Sequence, residues 1–133
     1  MSVEEYKDHF IIKRKIIHVS ENSLYLTRLD IKYISDIEEL KGYTFLETLS
    51  FGENRISEIE GLGIFTNLKK LYLEFNNISE IRGLDSLIDL EILYLGVNEI
   101  KEIERLDRLT KLEELYIDDN QITEISGLDN CIN

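Results

Sequence analysis

The sequence predicts an α/β solenoid, a single domain in which short parallel β-strands stack side by side. The first observation is an internal repeat of 22 residues, marked by five leucines: Leu24, Leu46, Leu68, Leu90 and Leu112. The second is the alternation Leu71-x-Leu73, which is typical of a strand with one buried face. The third is the period-three segment Ile78-x-x-Ile81-x-x-Leu84, whose spacing indicates 3₁₀ turns rather than a full α-helix.

Residues 1–23 do not follow the repeat and are predicted to cap the first repeat, because a solenoid needs its terminal face covered. Two interpretations of their structure stay open. Ser2-x-x-Glu5 is a candidate capping box that would begin a short helix. The run from Phe10 to Val19 is instead compatible with a strand, or with two strands folded as a hairpin.

Residues 24–133 are predicted to form five repeats without insertion: 24–45, 46–67, 68–89, 90–111 and 112–133. In this register the first repeat places Thr27 and Lys32 where the other repeats have an apolar residue and asparagine. Terminal repeats are often atypical because one side does not face another copy. The last repeat has nothing resembling a cap after it. Three interpretations stay open: a chain cut from something longer, association through this edge, or a tolerated open edge.

The segment Ile78-Ser-Glu-Ile81-Arg-Gly-Leu84 and its copies resemble leucine-rich repeats. The length and the Ile-x-x-Ile-x-Gly-Leu pattern are similar to the subclass in a regulatory subunit of type 1 protein phosphatase and in the bacterial internalins. This resemblance implies a curved parallel sheet on the concave side and 3₁₀ turns on the convex side. It also implies that asparagines turn inward and bond the backbone of adjacent repeats, a role that suits an amide with two donors and an acceptor: Asn54, Asn76, Asn98 and Asn120.

Composition and charge restrict the expected partners and compartment. The net charge is −12 and the excess acid lies in the repeats, so neither nucleic acid nor an anionic membrane is an expected partner. The Lys13-Arg14-Lys15 run is interpreted as a solvated turn or helix face. No segment suits a membrane span or a secretory signal, and one cysteine cannot form an internal disulfide, which favours the cytoplasm. That cysteine, Cys131, occupies a leucine position and is expected to be buried and chemically quiet.

No arrangement of residues predicts chemistry. His9 and His18 both lie in the predicted cap, where a packing or surface role is the better interpretation. Asp118-Asp119-Asn120 contains residue types that bind metals, but Asn120 is a repeat asparagine and the two acids are interpreted as ordinary exposed positions. We therefore expect a protein that is not an enzyme, with no catalytic residue, no metal and no cofactor.

Strand alternation predicts which side chains point out of the concave face. Tyr72, Tyr94 and Tyr116 fall on three adjacent strands and are called the tyrosine ladder below. The predicted partner-binding residues are this ladder and the acidic and apolar residues around it: Tyr72, Glu74, Phe75, Ile92, Tyr94, Val97, Glu114, Tyr116 and Asp118. The alternative is that the stacked rings only stabilise neighbouring strands. In the first repeat the same rule selects Leu26, Arg28, Asp30 and Ile31.

These observations predict a cytoplasmic protein–protein interaction module that binds a partner on its concave face, as a regulatory or scaffold subunit. The expected partner is a protein with a basic patch and an apolar centre, not nucleic acid or membrane. The alternative function is an extracellular adhesion domain of the internalin type, cut from a longer protein.

Overall fold

The computed structural model describes residues 9–131, and its side chains from residue 11 onward. Within them, two 3₁₀ helices, Ile34–Asp36 and Glu38–Gly42, follow the third of nine strands. The strands are β1 (His9–Ile12), β2 (Lys15–Ser20), β3 (Ser23–Tyr25), β4 (Thr48–Ser50), β5 (Lys70–Tyr72), β6 (Ile92–Tyr94), β7 (Glu102–Ile103), β8 (Glu114–Tyr116) and β9 (Glu124–Ile125).

Most strands belong to one sheet, in the order β1-β2-β3-β4-β5-β6-β8, whereas β7 pairs with β9. The strands from β3 to β8 in the larger sheet are parallel. Each repeat returns through turns in which an N–H bonds the carbonyl three residues earlier, as Leu87 bonds Leu84 and Leu90 bonds Leu87, both at 3.0 Å. The predicted solenoid, with its parallel sheet on the concave side and 3₁₀ turns on the convex side, is confirmed.

The predicted register of the first repeat is wrong by three residues. Leu24 pairs with Leu49, the position that the 22-residue period assigned to Thr27. Leu24 and Leu26 are fully buried, whereas Thr27 is exposed. The convex segment has period three, so a slip of three residues still places apolar residues on apolar positions. Burial of the Leu24-x-Leu26 strand decides between the two registers, and the two 3₁₀ helices take up the added length.

The same shift corrects the concave residues predicted for the first repeat. Leu26 and Ile31 are buried in the core rather than presented to solvent. Leu29, not Lys32, occupies the asparagine position. In later repeats the asparagine oxygen accepts a bond from the N–H two residues after the preceding asparagine, and the oxygen of Asn54 accepts such a bond from Ile31, two residues after Leu29. The division of the chain into a cap and five repeats otherwise stays a prediction.

The hairpin interpretation of the N-terminal segment is confirmed for residues 9–20. Strands β1 and β2 pair antiparallel, and Lys13 and Arg14 form the turn between them with φ of +47° and +65°. Positive φ at both central residues is what a type I′ hairpin turn requires. The basic run is therefore an exposed turn, in which Lys13 pairs with Asp30 at 3.2 Å. The candidate capping box at Ser2 and Glu5 lies outside the described residues.

The asparagine column joins consecutive repeats as the resemblance implied. Asn98 is buried, and its oxygen accepts a bond from the N–H of Ile78 at 2.9 Å. Its amide nitrogen donates to the carbonyls of Leu73 and Leu95 at 3.0 and 3.1 Å. Asn54, Asn76 and Asn120 make equivalent bonds. Backbone groups that the sheet leaves unpaired are thus satisfied by side chains.

The last repeat has apolar residues without a neighbour on one side, among the residues that the structure describes. Leu112 is buried, but Ile125 is 69% exposed and the remaining core positions of this repeat are only partly buried: Leu115, Ile117, Ile122, Leu128 and Cys131. Cys131 was expected to be buried and is only half-buried, because no described repeat packs beyond it. This partial burial raises the pKa of its thiol, which favours the unreactive protonated form.

Candidate functional site

The tyrosine ladder is the main feature of the concave face. Strand register places Tyr72 beside Tyr94 and Tyr94 beside Tyr116. The ring centroids of the first pair are 4.9 Å apart at an interplanar angle of 24°, and those of the second pair are 4.1 Å apart at 12°. The expected stacking of the three rings is therefore confirmed. The rings form a continuous aromatic strip across β5, β6 and β8.

The hydroxyl groups at the two ends of the ladder stay protonated in ordinary conditions. The Tyr116 hydroxyl donates to Oε2 of Glu114 at 2.6 Å, and this bond raises the pKa of Tyr116 well above its usual value. Partial burial raises the pKa of Tyr72. Tyr116 is 40% exposed at the outer end of the stack. The ladder thus combines apolar ring surface with neutral hydroxyl groups, of which that of Tyr116 already donates its proton to Glu114.

A fourth tyrosine extends this row, and sequence reasoning missed it. The pairing of β3 with β4 and of β4 with β5 places Tyr25, Ser50 and Tyr72 in one line. Tyr25 is 57% exposed, whereas the small Ser50 between the two tyrosines is only 4% exposed. The alternation Leu24-Tyr25-Leu26 was the available signal, because it marks a strand whose middle residue points to the concave side.

Acids and glycines alternate two residues further along the same strands: Gly52, Glu74, Gly96 and Asp118. A Cβ at Gly52 would lie 2.6 Å from Oε1 of Glu74, and one at Gly96 would lie 2.9 Å from Oδ1 of Asp118. Each carboxylate therefore rests over the glycine of the preceding repeat. We call these the two acid–glycine pairs. The Oε2 atom of Glu74 is buried and has no hydrogen-bond donor among the described residues.

Phe75 and Val97 border this face in an unusual backbone conformation. Their φ angles are +55° and +53°, and the equivalent residues Arg28, Glu53 and Asp119 also have positive φ. Bulky and β-branched residues are rare in this region, which favours glycine and asparagine. Phe75 is nevertheless 54% exposed, and Val97 is half-buried. An aromatic side chain is thus held at the edge of the concave face in a strained position.

The remaining predicted site residues complete the same face. Ile92 on β6 and Glu114 on β8 are in register with each other and with Lys70 on β5, which was not among the predicted residues. Ile92 is half-buried, while Lys70 and Glu114 are exposed. All nine residues of the predicted site therefore lie on these strands or at their ends, as one surface of aromatic, apolar and acidic groups. The binding of a partner on this surface stays a prediction.

Other kinds of site have little support in the part of the chain that the structure describes. Residues 9–131 contain no cluster of histidine, cysteine and acidic residues that could hold a metal ion. No helix in the same range is long and apolar enough to cross a membrane. The expectation that the chain is not an enzyme stays a prediction, although leucine-rich repeat folds are in general protein-binding modules without enzymatic activity.

Known structures and a family model resemble this chain. The model of leucine-rich repeats in two copies matches residues 44–87, 66–108 and 88–130. Internalin C2 from Listeria monocytogenes is 32% identical with a TM-score of 0.75, over 84% of this chain and 48% of that chain. A leucine-rich repeat protein of Leptospira interrogans is 24% identical with a TM-score of 0.70, over 78% of this chain and 27% of that one.

TLR13, whose structure is a complex with ssRNA13, is 26% identical with a TM-score of 0.58, over 66% of this chain and 13% of that one. No curated protein matches the sequence. The chain therefore spans about half the length of internalin C2 and less of the other two structures. Because the family model covers most of the five predicted copies and the repeats have the expected asparagine column, the chain belongs to the leucine-rich repeat family, with repeats like those of the internalins.

Proposed function

We propose that this protein is a protein-interaction module whose concave face binds a partner protein, as a regulatory or scaffold subunit. The observation that supports this most is the tyrosine ladder with its surrounding acids. Leucine-rich repeat proteins act as protein-interaction modules, which agrees with this use of the face. Tyrosine is enriched in binding hot spots because its ring is large and rigid and its hydroxyl is polar.

The charge of the face supports a partner with a basic patch around an apolar centre. Glu74, Glu114 and Asp118 surround the tyrosine ladder, and the whole chain has a net charge of −12. This charge speaks against nucleic acid and anionic membranes, since both present phosphate. TLR13 in its complex with an RNA shows that a protein with this fold can meet a nucleic acid, so RNA is included in the test below.

The cytoplasm is the compartment that we propose, since the single cysteine offers no internal disulfide. A second candidate function is a surface adhesion domain of the internalin type. The 32% identity to internalin C2 favours this alternative. Both candidates use the concave face, and fractionation of the source cells into cytoplasmic and surface proteins distinguishes them.

The test is affinity capture from an extract of the source organism with four immobilised forms of the chain. Wild type is compared with Tyr94→Ala, with Glu74→Gln, and with the control Glu124→Gln, which removes an exposed acid on β9. A partner that is retained by wild type and the control but lost by Tyr94→Ala supports the proposal. We expect Tyr94→Ala to weaken binding by about 2 kcal/mol, as expected of a central hot-spot residue.

Thermal melts of the same proteins separate binding from folding. If Tyr94→Ala lowers the melting temperature strongly but leaves the affinity of the folded protein unchanged, the ladder serves the scaffold and the proposal fails. A single-stranded RNA oligonucleotide is titrated in parallel. Binding of RNA that depends on Tyr94 would replace the protein partner by a nucleic acid.

A further inference from the structure

The two acid–glycine pairs set a spacing that restricts what can lie on the concave face. Glu74 lies two residues after β5 and Asp118 two residues after β8, and β6 lies between these strands in the sheet. Adjacent strands are about 4.8 Å apart, so equivalent positions on these two strands are separated by about 9.6 Å. Each acid leans onto the preceding repeat, over Gly52 or Gly96, so this leaning preserves the separation.

The ladder runs parallel to the line of these acids, so a ligand that contacts both must run across the strands. A β-strand repeats its side-chain direction every two residues, or about 6.8 Å, which does not match the acids. An α-helix aligns residues seven apart at about 10.5 Å. A polyproline II helix advances about 3.1 Å per residue with three residues per turn, and so aligns every third residue at about 9.3 Å. The polyproline II spacing is the closest match.

We propose that the concave face binds a polyproline II segment with a basic residue at every third position. Two successive basic side chains reach Glu74 and Asp118, while the next ridge of the segment packs on the tyrosine ladder. Aromatic-lined surfaces are the usual docking sites for polyproline II segments, because this helix is already extended before it binds. The proposal rests on the proposed function and specifies the conformation and charge pattern of its partner.

The environment of Glu74 favours a basic ligand. Its Oε2 atom is buried without a donor among the described residues, and Gly52 leaves its carboxylate a place with no side chain beneath it. A carboxylate oxygen in that state lacks the compensation that water or a donor would provide. A guanidinium or ammonium group that draws the carboxylate outward supplies the missing hydrogen bond. The opposite order of charges, with acids on the segment, would place like charges together.

The test measures the affinity of three synthetic peptides for the full chain by isothermal titration. The first is Pro-Pro-Arg repeated four times. The second has the same composition, but its arginines are adjacent pairs separated by prolines, so it keeps the polyproline II conformation and loses the spacing. The third is an alanine-rich helix with arginines seven residues apart. We expect the first peptide to bind roughly tenfold more tightly than the second, because only it pairs both acids at once.

Two protein variants test the site from the other side. Glu74→Gln removes one charge, and Gly96→Ala keeps every charge but displaces the carboxylate of Asp118, since the new Cβ would lie 2.9 Å from its Oδ1. Both variants are expected to bind the first peptide roughly fivefold less tightly or worse, because each loses a charged hydrogen bond to the peptide. The control Glu124→Gln is expected to bind as wild type. Circular dichroism confirms that each variant is folded.

The outcomes separate this inference from the proposed function. Equal binding of the two proline peptides, or wild-type binding by Gly96→Ala, would mean that only net charge is recognised and would overturn the inference. Tighter binding of the helical peptide would also overturn the inference, because the concave face would then prefer an α-helical ligand to a polyproline II segment. If no peptide binds while a captured protein still depends on Tyr94, the inference fails and the interaction module stands. If capture also ignores Tyr94, both fail.

Discussion

Asn98 and Phe75 show how single side chains divide between the fold and its surface. Asn98 is buried and bonds backbone groups of two repeats with both ends of its amide. Phe75 is exposed and stands at φ of +55°, a conformation that does not suit an aromatic residue. The first residue stabilises the stack. The second carries a backbone cost that the repeat imposes at this position, since the equivalent residues Glu53 and Val97 share the positive φ.

Replacement of Asn98 by alanine should destabilise the protein by about 1–3 kcal/mol, because buried N–H and carbonyl groups lose their partners. Urea denaturation of the variant and wild type measures this difference. Asn77→Ala is the matched control, since Asn77 is exposed and its side-chain amide donates to the exposed Glu99, and it should change stability by less than about 0.5 kcal/mol. An unchanged midpoint for Asn98→Ala would contradict the role of the asparagine column.

Replacement of Phe75 by asparagine should stabilise the fold by about 0.5–1 kcal/mol, because asparagine tolerates the left-handed conformation better than phenylalanine. The same change should weaken partner binding. Phe75→Ala is the control: it removes the ring without relieving the backbone, so binding should fall while stability does not rise. A large loss of stability in Phe75→Asn would show that the ring is a packing residue.

At the scale of one repeat, the residue just before each convex leucine lies in a turn with positive φ, which restricts the residue types that fit there. Gly61, Gly83 and Gly127 have φ between +65° and +81°, and Arg105 occupies the equivalent turn at +61°. A methyl group at Gly83 would collide with the carbonyl oxygen of Ile59. The first repeat has its two 3₁₀ helices on this side instead. The convex side of a repeat can therefore be built with glycine, with arginine or with 3₁₀ helices, whereas the strand on the concave side has the same form in each repeat.

Gly83→Ala should destabilise the protein by about 1–3 kcal/mol or more, because the new side chain meets both a left-handed φ and a backbone collision. Gly42→Ala is the control, since no atom lies within 4 Å of a Cβ built there. Its effect should stay within about 0.5 kcal/mol. Thermal and urea melts of both variants give the comparison. Equal stability of the two variants would mean that the turn at Gly83 rearranges freely.

For the whole molecule, stability should vary along the solenoid axis. Each repeat contacts mainly its neighbours, so the stack behaves as a one-dimensional array. Repeats two to four bury their leucines completely between neighbours, and the β1–β2 hairpin covers the first repeat. The last described repeat has exposed or half-buried core positions. Local opening should therefore be easiest there.

Hydrogen exchange should show this gradient in the 133-residue chain. The N–H of Leu73 bonds Tyr94 in the centre of the sheet at 2.9 Å, while that of Thr123 bonds Lys101 in the last repeat, also at 2.9 Å. The bond lengths are equal, so a difference in exchange reports local opening. We expect Thr123 to exchange at least roughly tenfold faster, which NMR can measure. Equal rates would indicate that the solenoid opens only as one unit.

Much of this protein was determined by its sequence alone. A period of 22 residues that holds from Leu46 onward makes equivalent positions recognisable, so the buried leucines, the asparagine column and the tyrosine ladder of these repeats all follow from one register. Tyr94 could be placed beside Tyr72 and Tyr116 because parallel strands in a regular stack repeat the same geometry. The repeat period predicts the position of a side chain correctly where the neighbouring residues belong to copies of the same repeat.

Tertiary structure alone decided the features at which copies stop or differ. The register of the first repeat depends on burial of Leu24 against its neighbours, because a slip of three residues is nearly silent in a segment of period three. The register that the structure shows also places Tyr25 in line with the tyrosine ladder. The pairing of Glu74 with Gly52, and the positive φ of Phe75, arise from contacts and backbone angles that residue types do not encode. The regular spacing of residues along the chain determined the repeated strands and the asparagine column. Contacts between residues of different type determined the details of the concave face.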